Sequence, residues 1–137
     1  MKASFQLYPV GRVRKTEAET VLEIDPAFND ALLGLETFSH IVVLYWFHEN
    51  DDPENRSTHQ VHPRKNPRNP LTGVFATHAP LRPNLIAIST CRIESIDGNT
   101  IKIDEIDAHD GSPIIDIKCY LPSRKKFTDL KIPDWIK

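Results

Sequence analysis

The chain has 137 residues, a length that fits one domain and is long enough to bury a hydrophobic core without disulfide bonds. Its 17 Lys and Arg residues against 19 Asp and Glu residues give a formal net charge of -2, which excludes a generic polycation that coats nucleic acid. Hydrophobic residues make up 39% and charged residues 26%, as in folded proteins, and eleven prolines argue against an all-helical bundle.

Three strands are predicted in the first third of the chain. Residues 5–13 form the first, which lies at an edge or bends at Pro9, because proline cannot donate to a strand ladder. Residues 21–24 mark the second. The run 39–48 is β-branched and aromatic without a polar break, which predicts a strand with both faces buried.

One helix is predicted between the second and third strands. Asp25 can cap it and Pro26 suits its first turn. Phe28, Leu32 and Leu35 fall at helical spacing.

The sequence of the second half of the chain predicts only strands. They cover residues 73–77, 85–96, 100–106 and 114–120. The Asp97-Gly98-Asn99 turn between two alternating runs is typical of a hairpin. Short strands separated by turns predict a mainly β fold, a small barrel or sandwich of mostly antiparallel strands with one or two short helices, in a single domain of residues 1–137.

Residues 49–71 form a long proline-rich loop whose charge changes from acidic to basic halfway along it. Loops of this length are uncommon in compact domains and are often functional. The basic half of the loop runs from Arg56 to Arg68 and includes Arg64, which makes it a candidate for phosphate contact or, alternatively, a solvated loop. His59 and His62 are spaced as a ligand pair, but no Cys or carboxylate cluster joins them in sequence, so no metal is predicted.

The compartment is predicted from the cysteines and from the apolar runs. Cys91 and Cys119 lie in apolar strand-like stretches without a CxxC pattern, which indicates buried free thiols and a cytoplasmic protein. The N-terminus lacks the apolar region of a signal peptide. The longest apolar run, 41–47, is far short of the roughly 20 residues of a membrane helix, so no membrane partner is expected.

Nucleotide-binding and hydrolase motifs are absent, and three polar clusters stand out instead. The sequence has no GxGxxG, GxxxxGK[ST], GxSxG or HExxH. The first cluster places His40 and His48 at the two ends of the third strand. The second places Arg82 before a proline, where an extended backbone could present it to an anion or a carboxylate. The third is the Asp110 turn, whose carboxylate can accept a ribose hydroxyl or backbone amides.

The strand after that turn carries a polar stripe. Asp116, Lys118 and Tyr120 alternate onto one face, and Ile115, Ile117 and Cys119 take the other. The stripe is either a solvated face or the wall of a site.

Together these motifs resemble the TsaA/TrmO family, in its compact archaeal type without a C-terminal extension. They are YPVGRVR, GLETFSHIVVLYWFH, HPR, GVFATHAPLRPN and DGSPIIDIKCYLP, in the family order. The resemblance implies a small TsaA-like barrel, a homodimer and S-adenosylmethionine as cofactor. It also implies methylation of the exocyclic nitrogen of threonylcarbamoyladenosine beside the anticodon of tRNA, with no DNA partner.

Matching the motifs residue by residue gives an expected cofactor site, and the charge and chemistry of other residues give candidates for the RNA contacts and the proton acceptor. The cofactor would lie against His48, Glu49, Arg82, Asp110, Gly111, Ser112 and Pro113. The RNA would meet Arg64, Arg68 and Lys118. The proton acceptor would be Asp116 or Tyr120, since a ureido-substituted adenine nitrogen is a poor nucleophile until its proton is removed.

Three departures from the family pattern keep other functions open. Glu49 replaces a glutamine, and His78 replaces an arginine. The segment between Arg14 and Val21 is also short. The alternatives are an S-adenosylmethionine-binding regulatory or structural module without methyl transfer, and a methyltransferase for another small or nucleic-acid substrate.

Overall fold

A computed structural model describes residues 3–137, and the contacts within the chain divide it into two compact units. The barrel unit runs up to Glu49 and continues through Ile86–Tyr120. The loop unit comprises Asn50–Leu85 and Leu121–Lys137. The single domain of residues 1–137 stays a prediction, and its first two residues lie outside the described part.

Strands dominate the described chain. They are β1 Gly11–Lys15, β2 Thr20–Ile24, β3 His40–Trp46, β4 Gln60–Val61, β5 Thr72–Gly73, β6 Ile86–Asp97, β7 Thr100–Ile103 and β8 Pro113–Cys119. The helices are short. They are the α-helix α1 Pro53–Arg56 and the 3-10 helices Pro26–Leu32, Leu35–Thr37, His48–Asn50, Pro63–Lys65, Val74–Ala76 and Asp134–Ile136.

Six strands close into a barrel in the order β1-β2-β7-β6-β3-β8, and every neighbouring pair is antiparallel. Pairing of Gly11 with Ile114 and of Arg12 with Pro113 joins β1 to β8 and completes the ring. The predicted fold class, a small mainly β barrel, is confirmed. A two-stranded sheet, β4-β5, lies in the loop unit.

The barrel core follows from strict alternation along the strands. In β3, Ile41, Val43 and Tyr45 are buried, while the residues between them are half-buried. The prediction that β3 buries both faces is therefore only partly right, because its outward side chains keep some contact with solvent. Full burial of an isoleucine or valine contributes about 1.5–3 kcal/mol, so this alternation specifies the register of the sheet.

The first predicted strand is too long. β1 begins at Gly11 rather than at residue 5. The backbone pairing starts only after Pro9, where the amide of Val10 donates to the carbonyl oxygen of Ile114 at 2.8 Å. A proline without an N–H ends the ladder here.

The predicted helix forms as a 3-10 segment. Asp25 caps it as expected, accepting a hydrogen bond from the Ala27 amide at 2.9 Å, and Pro26 occupies the first turn. Phe28 has non-helical dihedrals within the segment, so no regular α-helix propagates. Leu32 and Leu35 pack against the barrel core.

The hairpin around Asp97-Gly98-Asn99 is confirmed as β6-β7. The predicted strand at residues 73–77 is wrong beyond Gly73, because Val74–Ala76 turns into a 3-10 helix. Both cysteines are free, with Cys91 buried and Cys119 half-buried. Within residues 3–137, no helix has the length and apolar character needed to cross a membrane.

Candidate functional site

The exit of β3 and the turn before β8 meet in the barrel unit. Glu49 follows β3, and its Oε2 lies 3.5 Å from Nδ1 of His109, the residue before Asp110. Both side chains are largely exposed, so this pair contributes little to stability. The pair matters because it shows that two of the three segments expected to hold the cofactor lie side by side. We call Glu49, His109 and Asp110 the acidic corner.

Hydrogen bonds to a side chain and from the backbone of the turn join residues 109–113 to β1. Asp110 Oδ1 accepts a hydrogen bond from the Lys15 amide at 2.8 Å, and the Gly111 amide donates to the Val13 carbonyl at 2.7 Å. Gly111 has a φ of +84°, which a side chain would strain. Its Ser112 neighbour is 2% exposed and donates through Oγ to the His109 carbonyl at 2.7 Å. The turn is therefore preformed, and Asp110 Oδ2 has no hydrogen-bond partner within residues 3–137.

The polar stripe of β8 exists, but a β-bulge shifts it. Leu44 pairs with Asp116 while Tyr45 pairs with Ile114, so Ile115 is the extra residue. Because of this bulge, Ile114 rather than Ile115 supplies the fully buried side chain. Asp116 and Lys118 remain outward-facing and exposed, as predicted.

The candidate proton acceptors differ in their surroundings. Asp116 Oδ1 accepts from the Ile117 amide at 2.9 Å, and its Oδ2 lies 3.6 Å from the ammonium of Lys118. Its side chain is 54% exposed. Tyr120 stacks at a tilt against His40, with ring centroids 6.3 Å apart. Asp116 thus lies beside an open cavity and next to a cation, whereas Tyr120 contacts His40, and which of the two accepts a proton stays a prediction.

A cavity of about 540 Å³ opens beside Asp116 between β8 and the 3-10 segment. We call it the Asp116 cavity. Its lining is apolar apart from Asp116 and Thr37, with Phe28 and Phe38 contributing the rings. The sequence reasoning missed this cavity and missed His109. The run LLGLETF, too apolar for a surface turn, is the signal that could have found the cavity.

Arg82 belongs to the loop unit, where it organises its own turn. Its Nη1 donates to the carbonyl oxygens of Thr77 and Ala79, both at 3.1 Å. One guanidinium nitrogen is thus engaged by the backbone, and the side chain is half-buried. The structure shows how the turn is rigidified, while a role for Arg82 in holding a carboxylate stays a prediction.

The basic residues of the loop unit lie on a short tied loop, residues 62–69. His62 Nδ1 is 2.8 Å from the Asn69 carbonyl, and the Asn69 amide group donates to the Pro63 carbonyl at 2.8 Å. Arg64 has a φ of 60° and Lys65 a φ of 55°, a left-handed conformation that is uncommon for such residues. We call residues 62–69 the basic loop.

Arg64 and Arg68, the two predicted RNA contacts, are both exposed on the basic loop. Arg64 also donates to the Ile136 carbonyl at 3.3 Å. Arg56 behaves differently, because it donates to the Pro83 carbonyl at 3.0 Å and faces Asp51 at 3.3 Å. Within residues 3–137, no group of three or more His, Cys, Asp or Glu residues is arranged to hold a metal ion.

Clear pKa shifts lie away from the acidic corner. Burial raises the pKa of the Cys91 thiol to about 11, and it raises the pKa of the Tyr45 phenol. At Asp104, burial acts to raise the pKa, but hydrogen bonds from the backbone of Glu105, Arg92 and Asp104 itself outweigh it and lower the pKa. The raised values mark the barrel core rather than a catalytic group.

One protein family matches almost the whole chain. The tRNA-methyltransferase O N-terminal domain, abbreviated TrmO_N, matches residues 4–125. Two archaeal relatives are each named a probable S-adenosyl-L-methionine-binding protein. The one from Pyrococcus horikoshii is 47% identical over 85% of this chain and 83% of its own length. The one from Methanocaldococcus jannaschii is 48% identical over 85% of this chain and 92% of its own length.

Matches to longer proteins point the same way. A Homo sapiens tRNA (adenine(37)-N6)-methyltransferase is 40% identical over 66% of this chain and 20% of its own length. The crystal structure of TrmO from P. aeruginosa superposes with a TM-score of 0.73 at 29% identity, covering 98% of this chain and 63% of that one. This chain therefore spans less than two thirds of the TrmO chain and a fifth of the human protein.

Proposed function

The chain belongs to the TrmO family, and on that premise we propose that it is an S-adenosylmethionine-dependent methyltransferase that acts on tRNA. The observation that carries the proposal is the acidic corner, where the exit of β3 and the turn before β8 come together. The finer substrate we propose is threonylcarbamoyladenosine next to the anticodon, methylated on its exocyclic nitrogen. The human relative is named for adenine 37 of tRNA, which supports this choice.

The acidic corner fits the cofactor by its chemistry. A sulfonium is a cation, and Glu49 and Asp110 supply two exposed carboxylates in the barrel unit. Asp110 keeps one oxygen for a ligand, since the other already accepts the Lys15 amide. Glu49, which stands where the family has a neutral glutamine, places its carboxylate 3.5 Å from Nδ1 of His109. Ser112 and Gly111 fix the turn that presents Asp110.

Methyl transfer then needs positioning and a place for one proton. When bound, S-adenosylmethionine supplies a methyl group whose carbon–sulfur bond breaks as the nitrogen–carbon bond forms, with the electron pair left on sulfur. The Asp116 carboxylate accepts the N–H proton of the attacking nitrogen and passes it to water. The ammonium of Lys118 lies 3.6 Å from the Asp116 carboxylate.

The RNA backbone is the proposed partner of the basic loop. Arg64 and Arg68 are exposed cations on a loop tied at its base by His62 and Asn69, so their spacing is fixed before the RNA arrives. Phosphate contacts supply affinity without sequence information. We assign the same role to Lys118, on the strand that carries Asp116.

We also propose a cytoplasmic homodimer, because tRNA is the substrate and because the barrel has an apolar outer patch. On β6, Ile86 is 40% exposed and Ile88 is 54% exposed, and Ile88 pairs with half-buried Leu44 of β3. Light scattering after size exclusion tests this proposal. Ile88→Lys should shift the mass towards the monomer, whereas a monomeric parent protein would contradict it.

The enzymatic proposal is tested by incubating the protein with S-adenosylmethionine and bulk tRNA and analysing the nucleosides by mass spectrometry. We expect a methylated derivative of threonylcarbamoyladenosine and its loss in Asp116→Asn. Calorimetric binding of S-adenosylmethionine without any methylated nucleoside would favour the alternative of a binding module. A methylated nucleoside of another kind would show that the substrate is not threonylcarbamoyladenosine.

A further inference from the structure

We propose that the Asp116 cavity receives the target adenine, extruded from the RNA, and that Phe28 and Phe38 provide its stacking surface. This inference rests on the proposed function, which supplies RNA and a purine nitrogen as the acceptor. It adds a binding pocket, its ligand class and the residues that hold the base.

The first argument is size and preformation. At about 540 Å³, the cavity lies within the range of about 300–1,000 Å³ for small-molecule sites. Its wall is fixed by the Asp25 cap, by Gly34 with a φ of +88°, and by the hydroxyl of Thr37, which donates to the Gly34 carbonyl at 2.6 Å. Leu32 and Leu35 anchor the same segment to the barrel core. A ligand would therefore enter without the segment having to fold first.

The second argument is charge. The lining contains one ionisable carboxylate, Asp116, and no Lys, Arg or His. A phosphate would meet an apolar wall and a negative charge, so a phosphate-bearing group is excluded. The neutral adenine ring with its N–H donor matches the lining, because its faces are apolar and the donor finds a carboxylate. The carboxylate of the threonylcarbamoyl group would lie outside this cavity.

The third argument is geometry of access. A base inside a stack presents only its edge, and enzymes that modify a base unstack it and hold it between aromatic or apolar side chains. Phe28 is 38% exposed and Phe38 is 36% exposed, so both rings line the cavity without being buried by the fold. Leu33, 92% exposed at the same segment, is available to fill the space that the base leaves in the RNA.

The experiment measures base recognition without relying on turnover. Two anticodon stem-loop RNAs are compared, one with adenine at the position after the anticodon and one abasic there, by fluorescence anisotropy. We expect the parent protein to bind the adenine form about five- to a hundred-fold more tightly, the range typical of base–aromatic stacking. Equal affinities for the two RNAs in the parent protein would overturn the proposal.

Two variants with opposite volume changes locate the pocket. Phe38→Ala removes a stacking surface, and Ala31→Trp fills the cavity from an exposed position of the 3-10 segment. Both should bring the affinity ratio close to one while leaving S-adenosylmethionine binding and affinity for the abasic RNA unchanged. Phe127→Ala, which removes an aromatic ring 68% exposed on the loop unit, is the matched control and should keep the full ratio.

The outcomes separate this inference from the proposed function. If the parent protein methylates tRNA but Phe38→Ala and Ala31→Trp keep the parental ratio, the pocket is wrong and the methyltransferase stands. If both variants instead dissociate an oligomer and keep the ratio, the cavity receives a second copy of the chain. Loss of the ratio in both variants, in a protein that transfers no methyl group, would support the base pocket and refute the activity.

Discussion

Removal of the negative charge of Asp110 is the sharpest test of the cofactor site, because the hydrogen bond through which Asp110 supports the fold does not require that charge. One carboxylate oxygen accepts the Lys15 amide at 2.8 Å, and an asparagine can supply the same acceptor. Asp110→Asn should therefore fold normally but bind S-adenosylmethionine more weakly. A hydrogen bond to a charged group contributes about 1.5–3 kcal/mol, against about 0.5–1.5 kcal/mol for a neutral one. The difference of about 1–1.5 kcal/mol corresponds to a dissociation constant raised about five- to ten-fold.

The assay is calorimetric titration with S-adenosylmethionine alongside urea unfolding. Asp97→Asn, an exposed aspartate at the end of β6, controls for the loss of one negative charge from the surface. Asp110→Ala extends the series, because it also removes the bond to Lys15 and should lower the free energy of unfolding by about 1 kcal/mol. Should Asp110→Asn bind the cofactor within twofold of the parent protein, the carboxylate at this position would have no part in the site.

Three further predictions concern the core and the RNA surface. Ile41 is fully buried in β3, so Ile41→Ala should lower the protein's free energy of unfolding by about 2–5 kcal/mol, as measured by urea titration. A loss below about 1 kcal/mol would contradict the central position of Ile41. Cys91 should react with a thiol reagent at pH 8 more slowly than Cys119, because its pKa is about 11. The folded state holds this proton more tightly than the unfolded state, in which the thiol has its ordinary pKa of 9.0, so stability should fall between pH 9 and 11. The fall should be smaller in Cys91→Ala, where the raised pKa of Tyr45 still contributes to it. Arg64→Ala should weaken RNA binding and reduce, by about 0.7, the slope of the logarithm of the binding constant against the logarithm of the salt concentration. Arg64→Lys should keep that slope, and cofactor binding should stay constant in both variants. An unchanged slope in Arg64→Ala would refute the phosphate contact.

The strands of the barrel could be predicted because their alternation is local. The β6-β7 hairpin needs only the Asp97-Gly98-Asn99 turn and its flanking runs, and β3 needs only its β-branched content. The β8 bulge could not be predicted, since it arises from the pairing of Leu44 with Asp116 across a closed barrel. A register shift of one residue is invisible in a sequence that reads Ile-Ile at that point.

The site divides in the same way. The Asp110 turn was predicted from its turn residues, and the structure supplies the hydrogen bonds that make it rigid. The contact of Glu49 with His109 joins positions 60 residues apart, and the Asp116 cavity forms where an irregular segment crosses a strand. Such contacts depend on how the barrel closes, so neither motif spacing nor periodicity reveals them. Asp116 was among the predicted residues, but the cavity beside it was not.

The placement of charge indicates how this protein would catalyse. Functional sites often raise or lower pKa values by burial, yet here burial raises the pKa in the core, at Tyr45 and Cys91. Asp116 is half-exposed beside Lys118, which suits a group that takes a proton late and releases it to water. Displacement at a sulfonium has a neutral thioether as its leaving group, so most of the rate must come from alignment of donor and acceptor. Asp116→Asn should therefore slow transfer by the roughly 10²–10⁴-fold of a lost proton acceptor, measured as kcat at saturating tRNA. A far smaller loss would mean that water takes the proton and that the walls of the site alone perform the catalysis.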